Sequence, residues 1–463
     1  MKKYTALFIM EHILLLSITA GLLIHTASTK STLLKTEKNA EYLSQQITLL
    51  KQEQKEFTLF KYLLNIERAT EKIRALYAHT PIEYKFISKH ELTQFLSKKF
   101  EQVYPEETFK DIERSMKTIG LIDDTVNLKA VLLALYQEQI AAFYDYHEKK
   151  LYYVKNSFFT PNNKKMFISH EIVHALQDQN FDLVTLGIED KTNDDSVSAL
   201  SALCEGDAMY CMSEYYKSNI NAGLVLDLVS GIFALYKQEQ FANAPPFIKE
   251  NMLFPYEYGT IFVSYFYQEG NTESVDNLFR NPPKSTEQIL HPEKYSAGET
   301  PLFPLFSDYA NAFNDHNLRI MNTNVLGEFS LGLLLKQYMP EPIALNAAEG
   351  WGSDHFIVFE DQESKETGFI LISLWDSQKD AEEFFDAYST WAKRKHNIAN
   401  QATAQDQNTF DVVVQLTHET NEKKRLKLYR SQSFCCIIYA SGRHLPFLEE
   451  IADTAKLNFS SSD

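Results

Sequence analysis

The stretch Phe158–Gln179, FFTPNNKKMFISHEIVHALQDQ, decides how this sequence is interpreted. We predict a helix from Pro161 to about Gln179, since proline at the first helical position loses no hydrogen bond through its missing N–H. Residues four apart on a helix share one face, so His170 and His174 point in the same direction. A separate row supplies the apolar packing face: Ile168, Ile172 and Leu176. The two histidines are therefore not needed for packing.

The pattern H-E-x-x-H has a chemical meaning on such a helix. His170 and His174 can hold one metal ion, and Glu171 is rotated by roughly 100°, beside the ligands. That is the position of a general base for a metal-bound water. One alternative is an exposed helix with two unrelated histidines. Another is a structural zinc site, but such sites close four ligands and are usually rich in cysteine. We favour a catalytic zinc site.

A catalytic zinc ion needs a third protein ligand, and the next predicted helix offers one. This helix, Asn193–Lys217, carries Glu205 within the motif EGDA. Gly206 in a helix interior costs ~1 kcal/mol relative to alanine, which indicates a close approach of another backbone. We expect the small residues Ala199 and Ala202 to let this helix pack close to the metal helix. Glu205 is the predicted third ligand.

A carboxylate that accepts a hydrogen bond from a ligating histidine is expected beside a zinc site. Asp207, two residues after the glutamate ligand, is the first candidate for this role. Asp178, on the metal helix itself, is the weaker rival. The choice between them is left open by the sequence.

These motifs resemble the gluzincin (thermolysin-like) zinc metallopeptidases over roughly residues 60–296. HEIVHALQDQNFDL together with EGDA also resembles a group of little-characterised bacterial exported proteins that are taken to be zinc peptidases. In gluzincins two helices hold the metal, a β-hairpin edge precedes the first, and substrate lies along that edge as an added strand. The predicted hairpin at residues 143–154 matches this order. The family's aspartate four residues after the glutamate ligand is replaced here by Met209.

The resemblance implies zinc-dependent peptide-bond hydrolysis of a peptide or protein substrate, with Glu171 as the general base. In this family a downstream His or Tyr donates a hydrogen bond to the developing oxyanion. His291 is our first candidate for this donor, and Tyr256 is the second. The alternative function is a catalytically inactive gluzincin-like binding or scaffold protein of the cell envelope.

The N-terminus indicates an exported protein. Residues 1–30 carry Lys2 and Lys3 before an apolar run, which is typical of a signal anchor or a signal peptide. We expect membrane anchoring with the enzyme domain outside the cytoplasm, or secretion if the segment is cleaved. The apolar stretch Ile220–Tyr236 is short and charged at Asp227, so we predict a buried helix there. The oligomeric state is left open.

The remaining organisation follows from composition and periodicity. We predict a helical stalk over residues 31–78, a mostly helical metallopeptidase-like domain with a hairpin edge over 79–297, and an accessory α+β domain with an antiparallel sheet over 325–463. Residues 298–324 are the candidate linker, and the sequence at Ser88–Glu91 predicts a capping box. The overall fold class is therefore α+β.

Charge and cysteine content narrow the function further. The net charge is −17, which argues against nucleic-acid binding. The four cysteines have no C-x-x-C spacing, and we expect buried free thiols. Cys435 and Cys436 are adjacent in a predicted strand and should point to opposite faces. Glycine and tryptophan in AAEGWGSDHF, residues 347–356, predict a tight turn beside a packed Trp351.

Overall fold

The computed structural model describes residues 30–140, 142–155, 161–218, 239–302, 309–398, 404–405, 407–415 and 423–460. The predicted signal or anchor segment and the predicted helix at Ile220–Tyr236 lie outside the described residues. Within these ranges, no helix combines the length and the apolar character needed to cross a membrane. The chain divides into two compact units between Ala69 and Thr70.

The first unit consists, in its described part, of residues 30–69 of one long helix. Helix α1 spans Lys30–Arg74 and confirms the helical character predicted for residues 31–78. Its role as a stalk stays a prediction. The helix is followed by Ala75, whose φ of 58° is left-handed and ends the helical geometry.

The second unit, Thr70–Asp463, begins with the last turn of α1, which is followed by a mixed region. This region contains β1 (Glu83–Ile87), α2 (Lys89–Val103), α3 (Glu106–Ile119), α4 (Leu128–Gln139), β2 (Ala142–Asp145) and β3 (Lys150–Val154). A helical region follows with α5 (Pro161–Phe181), α6 (Asp194–Ser218), α7 (Glu239–Asn243), α8 (Pro246–Glu269), α9 (Thr272–Arg280), α10 (Thr286–Leu290) and α11 (Pro292–Ser296). The two central predicted helices are confirmed as α5 and α6.

The C-terminal region alternates helices and strands. In chain order it contains α12 (Tyr309–Asp315), β4 (Leu318–Asn324), α13 (Gly327–Lys336), α14 (Glu341–Ala348), β5 (Trp351–Asp361), β6 (Thr367–Trp375), α15 (Gln378–Lys395), β7 (Ala404–Gln405), β8 (Thr409–Gln415), β9 (Lys423–Ser431), β10 (Phe434–Ser441) and α16 (Leu445–Ser460). Its mixed α and β character agrees with the predicted α+β class.

The predicted hairpin is confirmed as β2 and β3, which pair antiparallel. β1 pairs parallel with the other side of β3, so the described strands of this sheet have the order β1-β3-β2. The rings of Phe143 and Tyr152 stack face to face with centroids 4.8 Å apart. β2 therefore lies at an edge of a small, aromatic-rich sheet.

The C-terminal strands form one antiparallel sheet, ordered β4-β5-β6-β10-β9-β8-β7 among the described residues. Both faces are covered, because alternate residues of β5 enter different clusters: Phe356 packs with α13 and α15, and Ile357 packs with α16. Burial on both faces explains the unbroken apolar runs of these strands. Cys435 and Cys436 lie in opposite clusters, as predicted, and all four cysteines are buried and free.

The predicted linker over residues 298–324 is wrong for its second half. This stretch contains α12 and the edge strand β4. Ion pairs join this part of the sheet to helix α3. Arg319 of β4 pairs with Asp111 of α3 at 2.7 Å, and Arg114 of α3 pairs with Glu360 of β5 at 2.6 Å. Residues on either side of the predicted boundary therefore belong to one compact unit.

Candidate metal centre

Helices α5 and α6 bring the three predicted ligands together. His170 and His174 lie one turn apart on α5, and their Nε2 atoms are 3.1 Å apart. Glu205 on α6 places Oε2 2.9 Å from Nε2 of His170 and 3.4 Å from Nε2 of His174. The sequence-predicted ligand set is assembled at one point, with all ligand atoms within 4.8 Å of one another.

The donor set and its spacing fit a zinc ion. Zinc–nitrogen bonds of ~2.0–2.1 Å in a tetrahedral site put neighbouring ligand atoms about 3.3 Å apart. The observed separations of 2.9, 3.1 and 3.4 Å lie on both sides of that value. Two imidazoles and one carboxylate leave a fourth position for water. The side chain of Glu205 is 21% exposed while both histidines are nearly buried, and the Oε2 atom that faces the histidines is itself buried.

The electrostatics of the cluster favour a positive charge at its centre. Burial acts to lower the pKa of His174, but the nearby Glu205 carboxylate outweighs it and raises that pKa to about 9. Burial acts in the opposite direction on Glu205, yet the two histidines hold its pKa well below the usual value. The carboxylate therefore stays ionised in a partly buried place, where it can stabilise a bound cation.

Glu171 lies beside the ligands, as the helix rotation predicts. Its Oε2 accepts a hydrogen bond from the backbone N–H of Tyr144 on the edge strand β2, at 2.9 Å. Burial raises the pKa of Glu171, although His174 and His170 oppose that shift. The hairpin edge thus fixes this carboxylate at the side of the metal cluster.

Sequence reasoning missed the residue that contacts His174 on its far side. Nδ1 of His174 lies 3.0 Å from Oε1 of Gln177, and Nε2 of Gln177 lies 2.9 Å from Oδ2 of Asp207. Asp207 is thus joined to the ligand through Gln177 instead of contacting it directly. The rival, Asp178, accepts from Tyr144 Oη at 2.8 Å and pairs with Lys149 at 2.7 Å.

The close backbone approach predicted at Gly206 is confirmed, and its partner is α8. A Cβ on Gly206 would lie 2.1 Å from the carbonyl oxygen of Gly259, and a Cβ on Gly259 would lie 2.0 Å from that of Ala202. Ala199 and Ala202 pack in a cluster with Phe254 and other α8 residues. The small residues of α6 therefore admit α8, and the expectation that they also serve the packing of the metal helix stays a prediction.

This close crossing brings Tyr256 to the metal cluster. Pro255 within α8 lacks the N–H of a regular helical hydrogen bond, which loosens the helix just before Tyr256. The ring of Tyr256 lies 6.3 Å from that of His170 at an interplanar angle of 23°, and its side chain is 40% exposed. Glu205 is the largest cause that raises the pKa of its hydroxyl, ahead of burial. Tyr256 is therefore a neighbour of the candidate ligands.

His291 lies in a different set of contacts. It is the residue between α10 and α11, and its Nε2 is 2.9 Å from Oε1 of the buried Glu328 on α13. This hydrogen bond raises the pKa of His291. The contact places His291 against α13, and Tyr256 is the predicted donor that the structure brings to the cluster.

Comparison with known proteins covers the C-terminal sheet. Residues 317–435, from the start of β4 into β10, match a family model described as a domain of unknown function (DUF8575). The search of curated proteins found no match. The search of solved structures found no match either.

Proposed function

We propose that this protein is a zinc-dependent peptide hydrolase of the gluzincin type. The observation that carries the proposal is the convergence of His170, His174 and Glu205 on one point, with Glu171 beside them. A purely structural metal site would need no such glutamate, since Glu171 is not among the converging ligands. The resemblance in sequence and the preceding hairpin support the same conclusion.

The residues divide the chemistry among them. A zinc ion, if held by His170, His174 and Glu205, would supply an acidified water and a Lewis acid for the scissile carbonyl. Glu171 takes the proton of the attacking water and passes it to the leaving amine. The N–H of Tyr144 keeps the Glu171 carboxylate in place for both transfers. Tyr256, whose ring lies beside that of His170, would donate a hydrogen bond to the developing oxyanion.

We infer that substrate binds along β2 as an added strand. β3 covers one side of β2, and the N–H of Tyr144 points to Glu171 on the other side. A peptide on that side would pass the metal cluster with its backbone hydrogen-bonded to β2. Tyr146 follows this strand, and its ring packs edge-on against that of Tyr144 with centroids 5.8 Å apart, so aromatic surface borders the path. Peptides with apolar side chains near the cleaved bond are the expected substrates.

The N-terminal segment completes the proposal. Residues 1–30 would anchor the protein in a membrane or direct its secretion, and its substrates would then be peptides outside the cytoplasm. This part of the proposal depends on the sequence pattern alone.

The test is cleavage of a mixed peptide library by the purified full-length chain, read by mass spectrometry. We expect the parent to cleave, and Glu171→Gln to lose cleavage while it keeps its zinc. Glu214→Gln changes a half-buried glutamate that pairs with Lys217 on α6, and it should behave as the parent. Equal cleavage by Glu171→Gln and the parent would contradict the mechanism. Bound zinc without cleavage by the parent would favour the inactive scaffold alternative.

A further inference from the structure

A buried chain of polar contacts joins the end of α1 to the metal ligand His174. Arg74, the last residue of α1, is fully buried, and its Nε lies 2.7 and 2.8 Å from the two carboxylate oxygens of Asp207. Asp207 accepts from Gln177, and Gln177 faces His174. Four side chains from three helices therefore connect in one line.

The surroundings of Gln177 determine which way its amide points. Its Nε2 lies 2.9 Å from Oδ2 of Asp207 and 3.0 Å from the carbonyl oxygen of Cys204. Both neighbours are acceptors, so only the NH₂ group can stand there, since an oxygen would repel both. Oε1 must then face His174.

The orientation of Gln177 sets the tautomer of His174. Oε1 of Gln177 is an acceptor 3.0 Å from Nδ1 of His174, so Nδ1 must carry the proton. The lone pair of the neutral ring is then on Nε2, which is the atom that faces His170 and Glu205. A metal ion needs its lone pair on that side.

Arg74 holds the far end of this chain. Asp207 is completely buried, and a buried carboxylate is costly unless it is paired and hydrogen-bonded. Its oxygens accept from Arg74, from Gln177 and, at 3.1 Å, from Tyr267 Oη on α8. The other arm of Arg74 pairs with Asp276 of α9 at 2.7 Å, which fixes the guanidinium between two helices. Asp207 is thus held as a hydrogen-bond acceptor for Nε2 of Gln177, which leaves Oε1 of Gln177 facing His174.

We propose that Arg74, Asp207 and Gln177 are positioning residues for the metal centre. They fix the ring and tautomer of His174, and the end of α1 is therefore part of the site instead of a spacer. This inference depends on the proposed zinc function. Met209 stands where the resembled family has its aspartate. In this chain Asp207 would take over the role of that aspartate, from a different position and through Gln177.

The first test is zinc affinity of the full-length chain, measured with Zn²⁺ alone by competition against a chelating indicator. Gln177→Met removes the acceptor for Nδ1 and should weaken zinc binding about 10–100-fold. Gln179→Met is the matched control, because Gln179 lies on the same helix and exchanges hydrogen bonds with the backbone of Thr80. It should leave the affinity unchanged. Equal affinities for the Gln177→Met variant and the parent would overturn the proposal.

The second variant, Arg74→Lys, keeps the buried positive charge but cannot span Asp207 and Asp276 with one planar group. We expect weaker zinc binding in this variant too. A lower thermal stability with unchanged zinc affinity would show that Arg74 is only structural. If Arg74→Lys does not fold, the Gln177→Met and Gln179→Met pair decides alone.

A spectroscopic measurement tests the tautomer directly. In the zinc-loaded chain labelled with ¹⁵N-histidine, His174 should bind the metal through Nε2 and show an exchange-protected proton on Nδ1. Gln177→Met should lose that protection, and His174→Gln assigns the signal. Binding through Nδ1 would overturn the relay. A parent that binds no zinc would instead contradict the proposed function, so the two failures are distinguishable.

Discussion

Tyr256 and His291 are the two residues that the sequence offers as hydrogen-bond donors to the developing oxyanion. Tyr256 stands beside the metal cluster, whereas His291 is bound to Glu328. We predict that Tyr256→Phe lowers kcat/KM about 100-fold, because it removes one hydrogen bond that forms in the transition state. Its zinc affinity should equal that of the parent, since the phenol is not a ligand. His291→Gln is the comparison variant and should keep most of the activity.

Steady-state kinetics with one defined peptide and zinc titration check both variants. The opposite pattern, with activity lost in His291→Gln and kept in Tyr256→Phe, would return His291 to the catalytic role.

Single residues differed in how far the sequence could identify them. The spacing within one helix identified His170 and His174, and the same logic applied three residues further would have found Gln177. Arg74 carried no such signal, because it meets Asp207 across 133 positions of the chain. His291 was chosen from its Pro-flanked segment, and only the tertiary contact with Glu328 shows where that segment lies.

At the scale of elements, the crossing of α6 and α8 brings Tyr256 beside the ligands that α5 and α6 carry. The crossing has no room for side chains, since a Cβ on Gly259 would lie 2.0 Å from the backbone oxygen of Ala202. We predict that Gly259→Ala lowers the free energy of unfolding by about 1–3 kcal/mol, because overpacking outweighs the gain in helix propensity of ~1 kcal/mol. Zinc affinity should fall as well, because α6 carries Glu205.

Denaturant unfolding of the zinc-free and zinc-bound chain measures this effect. Gly332→Ala on α13 is the matched control, since its nearest neighbour is the flexible end of Leu345 at 3.1 Å. A Gly259→Ala protein as stable as the Gly332→Ala protein would contradict the packing argument.

Elements were predictable where the signal is local. The capping box at Ser88 and Glu91 is present with both of its hydrogen bonds, and the hairpin appears where apolar runs flank a polar turn. The tight turn before Trp351 is also present, with Gly350 at a φ of 80° and the indole donating to Asp354. The strand β4 was missed because it is an edge strand of seven residues with little burial.

At the scale of the whole molecule, the C-terminal sheet should make stability sensitive to acid. Burial lowers the pKa of His355 on β5 to about 4, below its ordinary value of 6.5. The unfolded chain then binds the proton at His355 more tightly than the folded chain does. The contribution of neutral His355 to the stability of the fold is therefore complete above pH 6.5 and is lost as the pH falls towards 4. We predict that the Tm of His355→Gln, relative to the parent, rises steadily across that window.

Thermal unfolding at a series of pH values tests this relation. The variant also loses the hydrogen bond between His355 and Thr323, which is 2.6 Å long. This loss should shift the difference in Tm by a constant amount at every pH. A difference in Tm that is flat from pH 7 to 4 would contradict the argument that desolvation lowers the pKa of His355.

The division into domains was the least predictable property. Sequence composition changes near residue 298, and a boundary there is a natural expectation. The structure instead joins the two sides through ion pairs of α3 with β4 and β5 and through shared apolar contacts, which leave no local signal in the sequence. The candidate active site and the sheet that matches DUF8575 therefore belong to one compact unit.

The most direct test of the central claim is elemental analysis of the purified full-length chain. We predict about one zinc ion per chain, as expected for a site with three protein ligands. Glu205→Ala should lose most of this zinc, and Glu214→Ala on the same helix should retain it. Absence of zinc from the parent, even after reconstitution, would mean that His170, His174 and Glu205 do not form a zinc site, and the proposed function would be wrong.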